Sequence, residues 1–371
     1  MLTLTRSFVK ALSGRQETNV EVITLANARV SMSIVPELGA KIISLKSLTN
    51  QYEWLQQSPY SKMSVPEYGD SFINGFDTGG WDECFPSIKQ EIYSAEGYKD
   101  LALPDHGELW CLPWKITKII ETDNFVTLSL CCQGRQLPYQ FTRSITLHKD
   151  SHEFVIHYQL VNLGLNPLPY MWSMHPIFAA QPGMQIQLSD NIKQFYTDNG
   201  FNRFFNHSES VIHWPYTYAP SNIDSLIENH TFKAGTQALN QPFASQSCDN
   251  QRYSQYCCLS YVMDKQSHFA SKLFSKPMNN NAQNNLITVA LTRDNGVQRC
   301  GFSYYSDEVS HVGLWLNYQG WSGSALAPAY VVGLEPCIGG HDSLQQAMTK
   351  NEYAQVPASS KHSWSVSCFI E

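Results

Sequence analysis

Apolar and polar positions alternate along most of this chain with a period of two, the spacing of strands with one covered face. Residues 20–47, VEVITLANARVSMSIVPELGAKIISLKS, read as short β-rich runs broken at Asn27 and again from Pro36 to Gly39. The runs NFVTLSLCCQG (124–134), FTRSITLHKD (141–150) and HEFVIHYQLVNLG (152–164) predict a meander. In the last run Phe154, Ile156, Tyr158 and Leu160 alternate with Val155, His157 and Gln159, and both faces are expected to be largely covered. LITVALTR (286–293), RCGFSYY (299–305), HVGLWLNY (311–318) and SWSVSCFIE (363–371) continue the pattern. Helical periodicity is weak, and only QQAMTKNEY (345–353) predicts a short helix. Between about 196 and 285 the pattern loosens, and MNNNAQNN (278–285) reads as an exposed polar loop. With no internal repeat and no linker, residues 1–371 are expected to form a single, mainly β domain, one large antiparallel β-sandwich.

Composition narrows the ligand. Only 15% of residues are charged, so Asn, Gln, Ser, Thr and Tyr carry much of the polar surface. The many aromatic residues suit either a sheet core or a neutral polyhydroxylated ligand. The net charge of −7, without a Lys/Arg cluster, argues against nucleic acid and anionic membrane surfaces. No apolar run approaches the roughly 20 residues that cross a bilayer. The N-terminal MLTLTRSFVKALSGR has no acid before Glu17, as in a transit peptide, but Arg6 and Lys10 break its apolar stretch and make it a poor secretory signal. Ten cysteines without a CxxC spacing read as reduced, mostly buried thiols of a cytoplasmic protein. The adjacent pairs Cys131-Cys132 and Cys257-Cys258 are expected to split between two faces. The sequons at Asn206 and Asn229 matter only in a secretory setting.

Four short motifs carry candidate chemistry. GGWDECFPSI (79–88) sets Asp82 beside Glu83 after two glycines. It reads as a sugar cradle, a metal site or a tight turn with a solvated acidic pair. LPDHGELW (103–110), PYMWSMHPIFAA (169–180) and GLEPCIGG (333–340) place His106, His175 and Glu335 among apolar, aromatic and turn residues. Such settings are expected to move a pKa towards neutrality, where a general acid or base works. The bland readings are a structural histidine bonded to backbone and a loop carboxylate. Two histidines and a carboxylate also make a metal composition, but HxH, HExxH and CxxC are absent, and no bound metal is expected. GxSxG, GxGxxG and the P-loop are absent too. A glycosidase would pair Glu335 with Asp82 or Glu83.

Together these motifs resemble the aldose 1-epimerase (galactose mutarotase) family. PELGAKIISL (36–45), GGWDECFPSI, DHGELW, WSMHPIF, HVGLWLNYQGW (311–321) and GLEPCIGG stand in that family's order over most of the chain. The resemblance implies a galactose mutarotase-like β-supersandwich. It implies Glu335 as general base, His175 as general acid, and His106 as the group that positions the sugar near its ring oxygen. That chemistry removes the C1 hydroxyl proton of a cyclic hemiacetal and protonates O5, so it needs no cofactor. One departure stands out. The family commonly places an arginine near the first histidine, and none lies between Arg29 and Arg135 here. Asp82 is expected to take its place on sugar hydroxyls, with Glu83 outward or structural. Trp81 and Trp315 offer aromatic platforms, Asn317 an amide, and Lys272 a cation for an acidic or phosphorylated sugar. The expected partner is a small-molecule sugar, and oligomeric state is not legible. Alternatives are a non-catalytic sugar-binding or sugar-sensing protein on the same fold, and an epimerase of an acidic or phosphorylated sugar.

Overall fold

The computed structural model describes residues 2–197, 211–218, 256–278, 285–323 and 328–371. The sequons and residues 279–284 of the 278–285 tract lie outside these residues, as does the Cys257 side chain. Among the described residues two large sheets carry the fold, one of 15 strands and one of eight. In the first, the central strands run in the spatial order Phe269–Ser275, His311–Tyr318, Tyr330–Ile338, Trp172–Ala179, Gly80–Cys84 and Lys41–Ser47. Each of these strands pairs antiparallel with its neighbour. The predicted meander forms part of the second sheet as Phe125–Gln133, Tyr139–His148 and Glu153–Asn162. The described residues are therefore mainly β, in large and mostly antiparallel sheets as the pattern predicts and in the supersandwich that the resemblance implies.

Alternation decides what each face does. Trp81, Trp172, Met174, Phe178, Leu314 and Leu334 point from the first sheet into one continuous core. There they meet Phe302, Tyr158 and Trp364 of the second sheet, as in the Trp81–Phe302 and Trp172–Trp364 ring contacts. The other face of the same strands presents Asp82, His175, Glu335, Trp315 and Lys272. Expectation and structure differ for 153–162. Phe154, Ile156, Tyr158 and Leu160 are buried, whereas His157 is exposed and its neighbours on that side are half-buried. One face of this strand is solvated, as an antiparallel sheet permits. The predicted helix is present as Leu344–Lys350, capped by Ser343. Cys131 is half-buried and Cys132 buried, so that pair does split between faces.

The adjacent acids of GGWDECFPSI also split. Glu83 turns into the core rather than outward, and is fully buried. Its carboxylate accepts hydrogen bonds from Arg143 Nη1 at 2.9 Å, Tyr158 OH at 2.8 Å and Trp172 Nε1 at 2.8 Å. This network joins the two sheets. Burial pushes the Glu83 carboxyl up, against the pull of Arg143.

Candidate active site

The central row of the first sheet brings the separated motifs together. Asp82 is register-paired with His175, and Glu335 with Gly313. His175 Nδ1 donates to Glu335 Oε1 at 3.1 Å. Lys272 donates to Glu335 Oε2, and Ser173 Oγ lies 3.4 Å from that oxygen. Glu335 is wholly buried. Burial alone would raise its pKa, but Lys272 and then His175 outweigh burial and hold the carboxyl down at about 2. The expectation of a near-neutral Glu335 is therefore corrected: it is a carboxylate throughout the physiological range. Lys272 responds in the opposite sense. Burial lowers its pKa, but the Glu335 charge reverses this and raises it above the ordinary lysine value.

The DHGE motif supplies the second imidazole, and each residue has a separate task. Asp105 Oδ1 accepts from His106 Nδ1 at 2.9 Å, while its Oδ2 accepts the Ile73 N–H at 3.2 Å. Burial opposes the ionised form of Asp105, yet the His106 hydrogen bond leaves its pKa below the ordinary value. His106 has a left-handed backbone, φ 61°. Gly107, φ 74°, follows, and a Cβ there would lie 2.0 Å from the Phe85 carbonyl oxygen. The loop is thus pinned against residues 85–88, and the His106 N–H donates to Ile88 O. Glu108 is buried and accepts from Tyr68 OH at 2.7 Å, anchoring the segment that carries Phe72. Phe72 stacks on His106 with centroids 4.1 Å apart and meets His175 edge-on at 5.7 Å.

The two imidazoles lie 5.2 Å apart at one cavity of about 560 Å³. Each Nδ1 faces a carboxylate, so each Nε2 is left to serve the cavity. Lys272 and Trp315 also line it, as does Trp321, whose ring meets Trp315 edge-on at 5.6 Å. Lys89 and Asp342 line it as well.

Two expected site residues have other roles, and a third, Asp82, sits at a neighbouring cavity. Trp81 is completely buried in the intersheet core against Phe302, because its strand position faces away from the cavity. Asn317 is 1% exposed and organises the 317–321 turn: its Oδ1 accepts from Gly320 N and Trp321 N, and its Nδ2 donates to Trp321 O. Its amide is engaged by this turn, which positions Trp321. Asp82 lies on the site face but pairs with Lys41 and lines a neighbouring cavity. The residues missed from sequence are Asp105, Phe72, Trp321 and Lys41. Only Asp105 had a local signal, its adjacency to His106. The described residues hold no group of three or more His, Cys, Asp or Glu placed to share a metal. None of their helices is long and apolar enough to cross a membrane.

Sheet topology and this concave site define a galactose mutarotase-like β-supersandwich protein. A galactose mutarotase-like protein from Clostridium acetobutylicum shares the fold at TM-score 0.63 and 13% identity, covering 99% of this chain and 98% of that one. A Klebsiella pneumoniae protein provisionally named an aldose 1-epimerase gives TM-score 0.67 at 11% identity, covering 99% and 84%. A galactose mutarotase-like protein from Lactobacillus casei gives 0.58 at 14% identity, covering 94% and 100%. No curated protein matches by sequence. The aldose 1-epimerase family model matches residues 21–204, a span that holds both histidines and ends before Lys272 and Glu335. The resemblance of this chain to the aldose 1-epimerase (galactose mutarotase-like) family is therefore borne out.

Proposed function

We propose that this protein is an aldose 1-epimerase that interconverts the α and β anomers of a neutral monosaccharide by acid–base ring opening. The observation that carries the reading is the His175–Glu335 hydrogen bond at 3.1 Å, set beside a second carboxylate-backed imidazole at one cavity. In this reading His175, protonated at Nε2, donates to the ring oxygen O5. Glu335 receives the C1 hydroxyl proton, and His106 holds the sugar near O5. Glu335 is sealed in the free protein, so the C1 hydroxyl reaches it by replacing the Lys272 ammonium. That exchange also removes the strongest influence lowering the Glu335 pKa, which makes it a better base at the moment it is needed. Rotation about C1–C2 and reclosure with reversed proton transfers give the other anomer.

Charge at the cavity favours a neutral sugar. Asp77, Asp105 and Asp342 line it and outnumber its two lysines, Lys89 and Lys272. A phosphate would enter an acidic surround with no arginine clamp. The test is magnetisation-exchange NMR of α and β anomers over neutral, acidic and phosphorylated aldoses, with wild type and Glu335→Gln. Faster exchange for a neutral aldose, lost in the variant, is expected. Unchanged exchange in Glu335→Gln rejects the base assignment. Sugar-dependent shifts with no accelerated exchange for any aldose favour a binding protein instead.

A further inference from the structure

A second cavity, of about 230 Å³, lies beside the histidine cavity and is not used by the chemistry above. The segment 73–78 separates them. Ile73 and Asp77 line the histidine cavity, whereas Gly75, Phe76 and Thr78 line the other. The second cavity also holds the Lys41–Asp82 ion pair, whose side chains are only 11% and 6% exposed.

The glycines of GGWDECFPSI make this arrangement possible. A Cβ at Gly80 would sit 2.9 Å from Lys41 Cε, so the bare glycine leaves the path along which the lysine chain reaches Asp82. A Cβ at Gly79 would lie 2.2 Å from the Gln56 carbonyl oxygen, so that residue lets the opposite wall close in. Both glycines have positive φ.

The pair keeps unused hydrogen-bonding capacity. An ammonium has three donors and a carboxylate about four acceptor sites. Among the described residues each of these two side chains has only the other as a hydrogen-bond partner. Asp82 Oδ1 has no partner among these residues and is not sealed from solvent, so its acceptor capacity is open at the cavity that Asp82 lines. Gln56, Gln57, Tyr60 and Thr78 add neutral hydrogen-bonding groups, and Trp110 adds an aromatic wall. Lys41 and Asp82 cancel in charge, and Lys62 at the rim is paired with Glu17. A donor and an acceptor side by side, ringed by neutral polar groups and one indole, match vicinal hydroxyls on an uncharged ring.

We propose that the Lys41–Asp82 cavity is a second binding site for a neutral polyhydroxylated ring, separate from the histidine cavity. The proposal does not require the protein to be an epimerase.

The two cavities carry different tryptophans, Trp110 in one and Trp315 with Trp321 in the other, so 5-fluorotryptophan NMR reports on each separately. Resonances are assigned with Trp→Phe variants, and the probes are methyl β-D-galactoside and methyl β-D-glucoside, which cannot ring-open. The Trp110 resonance is expected to titrate with its own dissociation constant. Asp82→Asn is expected to weaken that response about tenfold, the usual cost of one hydrogen bond to a charged group. The Trp315 response is expected to stay within about twofold, far below one such hydrogen bond. Thr78→Tyr fills the cavity and leaves the ion pair in place, so it decides the question if Asp82→Asn unfolds. A silent Trp110 alongside a responding Trp315, or a Trp110 response unchanged in Thr78→Tyr, overturns the second site.

Discussion

Lys272 and Glu335 lie two strands apart on one sheet and are joined by a buried ion pair that passes over the bare surface of Gly313. Replacing Lys272 by Met leaves the carboxylate without its strongest partner. Breaking one side of a buried pair costs about 3–5 kcal/mol. The Glu335 pKa, ordinarily 4.5 and here about 2, is expected to rise. A depressed carboxylate stabilises the fold above its unfolded pKa and loses that contribution as pH falls towards the folded one. In wild type this window runs from 4.5 down to about 2 and is worth about 3 kcal/mol. Urea unfolding between pH 2 and 7 is expected to show that window in wild type and its loss in Lys272→Met.

Two glycines make room for the same carboxylate. A Cβ at Gly313 would lie 3.0 Å from Glu335 Oε2, and one at Gly333 would lie 3.0 Å from Glu335 Oε1 and 2.9 Å from Trp315 Cβ. Either glycine-to-alanine change therefore overpacks the site at a cost of about 1–3 kcal/mol. On the proposed mechanism each lowers anomer exchange more than it lowers the chemical midpoint of unfolding. Exchange NMR and urea melts on the same sample check this. Wild-type exchange in both variants contradicts it.

Glu83 serves stability rather than chemistry. Glu83→Gln leaves the Arg143 guanidinium, which cannot lose its proton, buried without a counter-charge. The expected loss is about 3–5 kcal/mol in denaturant melts. Its side chain points into the core, so sugar binding in the folded fraction is expected to survive.

His311 gives the fold a sensitivity to mild acid. Burial, partly offset by Glu352 and reinforced by His341, lowers its pKa from 6.5 to about 4. The unfolded chain binds that proton more readily, so stability is full above pH 6.5 and falls as pH drops from 6.5 towards 4. The change is about 3 kcal/mol. Unfolding midpoints at pH 7 and pH 5 are expected to differ in wild type and to converge in His311→Gln. An equal drop in both proteins assigns the acid sensitivity to other groups.

Much of the fold was legible because alternation reports strands locally. The breaks at Asn27 and at 36–39 fall where the chain turns between Gln16–Ala26, Val30–Val35 and Lys41–Ser47. His106, His175 and Glu335 stood out as titratable residues in apolar surroundings, and the fold brings both imidazoles to one cavity with Glu335 buried and hydrogen-bonded to His175. Partner choice was less legible. Lys272 read as a cation for a ligand, but the register of three strands aims it at Glu335. Trp81 and Asn317 looked like ligand contacts because aromatic and amide residues suit sugars. Which face a strand buries, and which turn an amide closes, is fixed by neighbours far away in sequence.

The sequence by itself determined the strands, their turns and which titratable residues are candidates for chemistry, because period-two patterning and residue chemistry are local properties. Tertiary structure alone decided that adjacent Asp82 and Glu83 work on opposite sides of one sheet. It decided that Glu335 is held ionised by Lys272 and His175, and that Lys41 crosses bare Gly80 to reach Asp82. The reason is physical: charge state and pairing depend on burial and on distances across strands, which chain separation does not encode.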